Sequence, residues 1–231
     1  MLKIYVYILS LNLSLTEGSK DVCMSIRYIS LDISTNTGYA VFEDDQLIKY
    51  GVFTHKVEEY KADIKTYADL PQCYPDNFLK TVKAITDQCI QTIQENNIEM
   101  VIIEHPESGK QRLSQRLLEW THLTLVNELN RNSIPFKYIL VNDWRAVVKC
   151  YLKYWPEHKD WNKQVRKAKT KAIPTKKGNL VPKIDGKRVS TVNQKKLSIM
   201  IANNYYNLEI KDNNIADAIN MARAAKELKI V

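Results

Sequence analysis

Apolar and polar positions along the chain follow two rhythms, and their alternation lays out the elements. Arg27 to Ile33 (RYISLDI) is a compact β-branched and aromatic run and predicts a buried strand. After Gly38, the segment YAVFEDDQLIKYGVF reads as two strands turning at Asp44, Asp45 and Gln46, so the chain opens on a three-stranded meander. His55 to Asn77 is polar, irregular and interrupted by Pro71 and Pro75, as expected of a loop or short helix. From Phe78 to Asn96 the period changes: Phe78, Val82, Ile85, Cys89 and Ile93 recur at steps of three and four, one face of a helix.

The alternation then continues. Ile98 to Glu104 (IEMVIIE) predicts a second buried strand, Ser108 to Asn130 a long helix, and Pro135 to Val141 (PFKYILV) a third buried strand. The helix carries Leu113, Leu117, Trp120 or Thr121, and Leu125 on one face. Trp144 to Trp155 reads as helical, after which a Lys-rich block shows no clear period. Val192 to Tyr206 and Asn214 to Leu228 are the last two helices, with Asn213 or Asn214 as N-cap of the second. Three antiparallel strands followed by strands alternating with helices indicate an α/β fold, a mixed five-stranded sheet flanked by helices.

Charge sharpens this picture. The 231 residues carry a formal net charge of +8. Arg145 to Lys196 alone holds 16 Lys/Arg against 3 Asp/Glu, a local excess of +13 that leaves the remainder at −5. A basic block on a mildly acidic body points to a polyanionic partner, nucleic acid first. A solvated Lys-rich loop has the same composition, and such loops often order only on DNA. Cys23, Cys73, Cys89 and Cys150 contain no CxxC pair, which disfavours a zinc site, and Cys89 and Cys150 read as small core residues.

The opening segment is ambiguous. Lys3 followed by Ile4 to Leu15 has the outline of a signal-peptide core, but Ser10, Asn12 and Ser14 interrupt it. It is also too short and too polar to span a bilayer. Met24 reads better as the initiator, with residues 1–23 a dispensable extension or mis-called start. A chain beginning at Met24 is then expected to fold and stay active as one domain, 24–231, with a basic insertion at about 156–190. Abundant Asn, Ile, Lys and Tyr fit an AT-rich genome and suggest a phage or other virus, acting in the cytoplasm of a bacterium or infected host.

Three acids stand where acids are costly. Asp32 interrupts the apolar strand YISLDIS, Glu104 closes MVIIE, and Asp217 lies in the small-residue helical stretch IADAINMA. Each alone is a cap, a strand-end ion pair or a solvated edge. Together they suggest a site at which carboxylates converge, where full ionisation requires cations between them. Hard oxygen ligands favour Mg²⁺ or Mn²⁺. Two such ions, about 4 Å apart, can activate water and stabilise the leaving oxygen of a phosphodiester.

The segment LDISTNTGYAVFEDDQLIKYGVF resembles the opening of RuvC-like Holliday junction resolvases of the RNase H-like superfamily: a strand Asp, a Ser/Thr loop closed by Gly-aromatic-Ala, and a hairpin. MVIIEHP resembles their second motif and NNIADAINMARAA their last, and the match runs over most of Ser25 to Ala225. The resemblance implies an RNase H-like fold, a homodimer on four-way DNA junctions, two Mg²⁺ ions with Mn²⁺ as substitute, and metal-binding catalytic acids at Asp32, Glu104 and Asp217. The family's remaining metal-site position falls on Asn214, one helical turn before Asp217, where it is neither acid nor histidine. Asn214 as a ligand, Asn214 as a helix cap, and Asp212 as a substitute ligand all stay open.

The family also places basic residues at the scissile phosphate. VNDWRAVVK puts Arg145 on one such position, and TVNQKKLSIM puts Lys195 or Lys196 on the other, although either lysine alone reads better as a helix-surface residue. Ser34 and Thr35 beside Asp32 are candidates to donate to DNA phosphate, or simply to make the turn that Gly38 completes. Lys163, Arg166, Lys167, Lys169 and Lys171 are the candidate DNA contacts of the basic block, which has no counterpart in the family. Trp161 is the tryptophan there best placed for exposure and base stacking, whereas Trp144 and Trp155 read as core. The expected activity is a crossover junction endodeoxyribonuclease serving recombination and repair. The alternatives are an RNase H-like nuclease of forks, flaps or RNA–DNA hybrids, and a junction binder with impaired catalysis.

Overall fold

The computed structural model describes residues 25–34, 36–54, 76–106, 112–170, 172 and 180–231. Its centre is a five-stranded sheet. Strands β1 (Arg27–Asp32), β2 (Asn36–Glu43) and β3 (Gln46–Thr54) form the antiparallel meander. Helix α1 (Asp76–Glu95) leads to β4 (Met100–Glu104), and α2 (Arg112–Arg131) leads to β5 (Phe136–Ile139). The order across the sheet is β3-β2-β1-β4-β5, with β4 parallel to β1 and β5 parallel to β4. The chain has the mixed α/β architecture expected of an RNase H-like domain.

Strand alternation sorts the two faces into two cores. Ile29, Leu31, Val101 and Ile103 point to one side and pack with Ile85, Cys89 and Ile93 of α1 and Leu125 and Leu129 of α2. The opposite side carries Tyr28, Ala40, Phe42 and Ile102, covered by the C-terminal half. That half comprises α3 (Val141–Val147), α4 (Pro156–Thr170), a small hairpin of β6 (Lys183–Ile184) and β7 (Lys187–Arg188), α5 (Gln194–Tyr206) and α6 (Asn213–Glu227). Helix α6 lies directly on the sheet, and the small side chains Ala216, Ala218, Ala222, Ala224 and Ala225 permit that approach. Among the described residues, no helix is long and apolar enough to cross a membrane.

Three local expectations need correction. The helix placed at Trp144 to Trp155 begins at Val141, inside the expected third parallel strand, and ends at Val147. Lys149 takes a left-handed backbone (φ 60°), and the N–H groups of Lys149 and Cys150 close onto the carbonyls of Ala146 and Arg145. This is a Schellman stop formed without the glycine that usually announces one. The chain then makes a 3-10 turn at Leu152–Tyr154.

The Lys-rich block is also more regular than expected. Helix α4 buries Asn162 and Val165 and half-buries His158, Trp161 and Ala168, a helical stripe that its polar members conceal from a hydrophobicity reading. Asn162 locks this helix to the segment after β7: its amide donates to Val192 O (2.8 Å), and its carbonyl accepts from Val192 N–H (2.7 Å). Finally, the N-cap of α6 is Asp212, whose Oδ1 accepts from Asn214 N–H at 2.7 Å.

The buried thiols are as expected: Cys89 and Cys150 are free and lie in the core. Thr35, Lys171, Cys23, Cys73 and the opening segment 1–23 lie outside the described residues.

Candidate active site

The parallel pairing of β1 and β4 sets Leu31 beside Ile103, so Asp32 and Glu104 follow next on each strand and leave the sheet on the same side. They stand at the C-terminal ends of adjacent parallel strands, the edge at which α/β sheets place their ligands. Helix α6 crosses that side. Ser30, on the same face of β1 as Asp32, donates its hydroxyl proton to Ala218 O at 2.7 Å and so fixes the helix one residue past Asp217. A strand, a neighbouring strand and the helix covering them thus bring together the three acids singled out in the sequence.

The electrostatics record this convergence. Burial raises the Asp32 carboxyl well above the usual carboxylate range, and the negative charges of Glu104 and Asp217 raise it further. Asp217 is likewise raised, first by burial, with a hydrogen bond from Ser198 acting against the shift. Arg145 and Lys195 lower both groups, which places their charges at this cluster. Of the two candidate lysines, Lys195 is therefore the one facing the acids. Lys196 instead has its ammonium on the Ser190 hydroxyl.

Helix α3 supplies two further parts. Trp144, fully buried, donates its indole N–H to Glu104 Oε2 at 3.1 Å, and its ring carries the Arg145 guanidinium 5.1 Å from its centroid. Nε of Arg145 is buried and finds no protein partner. The sequence indicated Trp144 as core but not as a partner of Glu104. Its position directly before the candidate Arg145 was the available signal.

The loop after Asp32 is held by its own hydroxyls. Ser34 Oγ donates to Asn36 O (2.9 Å), and Thr37 Oγ1 donates to Ser34 O (2.7 Å). Asn214 is tied to this loop, its amide donating to Asn36 O (2.8 Å) while its carbonyl oxygen accepts from the Asn213 amide.

Gly38 does more than complete a turn. It lies within β2, paired with Asp32, and a Cβ there would stand 2.0 Å from the carbonyl oxygen of Asn214. A glycine inside a strand often marks such a close backbone approach. Gly38→Ala is expected to push the start of α6 off the sheet, with a loss of roughly 1–3 kcal/mol in urea unfolding. A larger fractional loss of cleavage than of folded protein should accompany it, because Asp217 moves with the helix. Stability equal to wild type would mean that this close approach does not position the helix.

Helix α4 carries four of the five basic residues singled out in the Lys-rich block. Lys163, Arg166, Lys167 and Lys169 are exposed along its outer side, and Lys163 pairs with Asp160 at 2.9 Å. Lys183, Lys187 and Arg188 of the hairpin are also exposed, and sequence reasoning did not single them out. Trp161 is half-buried rather than offered to solvent, and its indole N–H donates to Ser190 O at 3.2 Å. Trp155 is half-buried against Lys149 O (2.8 Å).

No family model matches the sequence, and no curated protein matches it. Solved structures do. Fold and acid cluster together define an RNase H-like α/β domain with an acidic site at the ends of its central parallel strands. Its arrangement is RuvC-like. The structure of Thermus thermophilus RuvC in complex with a Holliday junction substrate superposes with a TM-score of 0.51 at 10% identity, over 89% of this chain and 96% of that one. A further Thermus thermophilus RuvC structure aligns at 12% identity with a TM-score of 0.47, over 89% and 97% of the two chains.

Proposed function

We propose that the protein is a structure-selective endodeoxyribonuclease that resolves four-way DNA junctions as a homodimer, by metal-dependent hydrolysis of phosphodiesters. The observation that carries this reading is the convergence of Asp32, Glu104 and Asp217 under the positive charges of Arg145 and Lys195. The RuvC-like fold supports it, because the similar protein was solved with a Holliday junction bound.

Among the described residues, no three Asp, Glu, His or Cys side chains form a ready-made metal cage. The chemistry of the donors nevertheless fits magnesium, which usually takes one or two carboxylates and keeps several waters. Asp32 and Asp217 are desolvated, and the charges of Glu104 and Asp217 raise the proton affinity of Asp32, a repulsion that cations would relieve. Asp32, Glu104 and Asp217 would hold two Mg²⁺ ions, or Mn²⁺ in their place, which would supply an activated water and a counter-charge for the leaving oxygen. Asn214 offers only a neutral oxygen, and Asp212 already caps α6, so the fourth protein ligand is the weakest part of the set.

The chain's own cations serve the phosphate. Lys195 and Arg145 place positive charge where negative charge builds during hydrolysis. Ser34 and Thr35 would contact the backbone next to Asp32. The basic side of α4, with Lys171 next to it in sequence, would hold a duplex arm of the junction.

The test is incubation with labelled four-way, forked and RNA–DNA hybrid substrates in Mg²⁺. Paired nicks across the junction are expected, with Mn²⁺ substituting and Ca²⁺ supporting binding but little cutting. Full activity in excess EDTA would end the metal reading. Preference for hybrids or forks would move the protein to another branch of RNase H-like nucleases. Tight junction binding without cutting in any metal would make it a binding protein, the alternative that rests on the neutral Asn214.

A further inference from the structure

The two helices that carry Lys195 and Asp217 are joined by a buried polar contact. Ser198 of α5 and Asn220 of α6 are 1% and 0% exposed. The Asn220 amide donates twice to the same residue, to Ser198 O and to Ser198 Oγ, both at 2.9 Å. Its carbonyl oxygen is buried and has no partner. An unmet acceptor in a core destabilises the fold, and a leucine of the same branched shape would avoid it. The contact is therefore poorly explained by stability alone.

Its direction explains it better. Because Ser198 Oγ accepts from Asn220, its own proton is free to turn to Asp217, which stands one turn before Asn220 on the same side of α6 and whose carboxyl feels the Ser198 hydroxyl. Asn220 lies one turn after Asp217 on α6, and Lys195 one turn before Ser198 on α5. A single amide thus fixes the register of α5 on α6 and orients the serine that holds Asp217, while Lys195 is set over the acids.

We infer that Ser198 and Asn220 are positioning residues of the acidic site, holding the Asp217 carboxylate in the orientation that accepts a divalent cation. The inference rests on the metal-dependent reading above. Removing such a supporting hydrogen bond characteristically weakens metal affinity by about 10–100-fold.

The test measures Mn²⁺ binding directly, by electron paramagnetic resonance of free Mn²⁺ titrated into DNA-free protein, alongside thermal unfolding without metal. Ser198→Ala is expected to weaken Mn²⁺ binding by about tenfold or more. Asn220→Leu should weaken it several-fold, with a melting temperature equal to or above wild type because the unmet acceptor is gone. A purely packing role predicts the reverse pattern: lower melting temperatures and unchanged affinity per folded molecule. Mn²⁺ affinities within twofold of wild type in both variants would overturn the inference and leave the metal reading intact. If wild type itself bound no Mn²⁺, the metal reading would fall first and this inference with it. If Ser198→Ala did not fold, Asn220→Leu would decide alone.

Discussion

Asp32→Asn is expected to raise the melting temperature of the metal-free protein while lowering junction cleavage by roughly 10³-fold or more. The two effects have one cause. In the absence of cations, the Asp32 carboxylate is forced beside Glu104 and Asp217 with much of its hydration removed, so its charge opposes folding. Asparagine keeps the shape and removes the charge. Each ~1 kcal/mol of relieved repulsion is worth about 2–4 °C in a domain of this size. Cleavage falls because the same charge is what would hold metal.

The pH dependence follows in sign. Above pH 3.8, the ordinary value for this group, the unfolded chain has released the Asp32 proton while the folded state still binds it. The folded state then holds more protons, so metal-free stability falls as pH rises, until the raised folded value is passed, and is level above it. Asp217, raised in the same direction, adds to this limb. Asp32→Asn should flatten it, and Mg²⁺ should flatten it in wild type by taking the proton's place. Glu104→Gln and Asp217→Asn should also abolish cutting while leaving junction affinity within a few-fold, since affinity comes mainly from cations on phosphates. Near-normal cutting by any one of the three would remove that acid from the site. A lower metal-free melting temperature for Asp32→Asn would show that the carboxylate makes a favourable contact instead.

The sheet and the acids were legible for the same reason. A buried strand or helix leaves a periodic apolar trace, and a charge that breaks it stands out, as Asp32 does in YISLDIS and Glu104 does in MVIIE. What was hidden depended on partners remote in sequence. Gly38 reads as a turn glycine until the backbone of α6 is seen against it. Ser198 and Asn220 look like ordinary polar helix residues until two helices bury them face to face. The choice between Lys195 and Lys196 turns on the rotation of one helix, which a sequence window cannot fix to one residue. The Lys-rich block conceals its helix because hydrogen-bonding groups, Trp161 and Asn162, form much of the buried side of α4. Yet its Asp185-Gly186 pair, both at positive φ, carried a hairpin signal that the charge run overshadowed.

That block supports the second large prediction. Replacing Lys163, Arg166, Lys167, Lys169 and Lys171 together with glutamine is expected to weaken four-way-junction binding by at least an order of magnitude at physiological salt. The plot of log affinity against log salt should flatten at the same time, by about 0.9 for each duplex phosphate no longer neutralised. The structure strengthens the case beyond charge alone. Four of the five residues lie exposed on a helix whose opposite side is packed, with Asn162 locking it to Val192 and Trp161 bonded to Ser190. A basic surface held this way loses less entropy on binding than a free loop would. Lys163 should contribute least, because Asp160 already neutralises part of its charge. All four are exposed, so the melting temperature should move by no more than about 1–2 °C, which separates weakened binding from impaired folding. If the block only maintained solubility, wild type and variant would give parallel salt slopes and equal affinities. In that event DNA binding would belong to the surface around Arg145 and Lys195 alone.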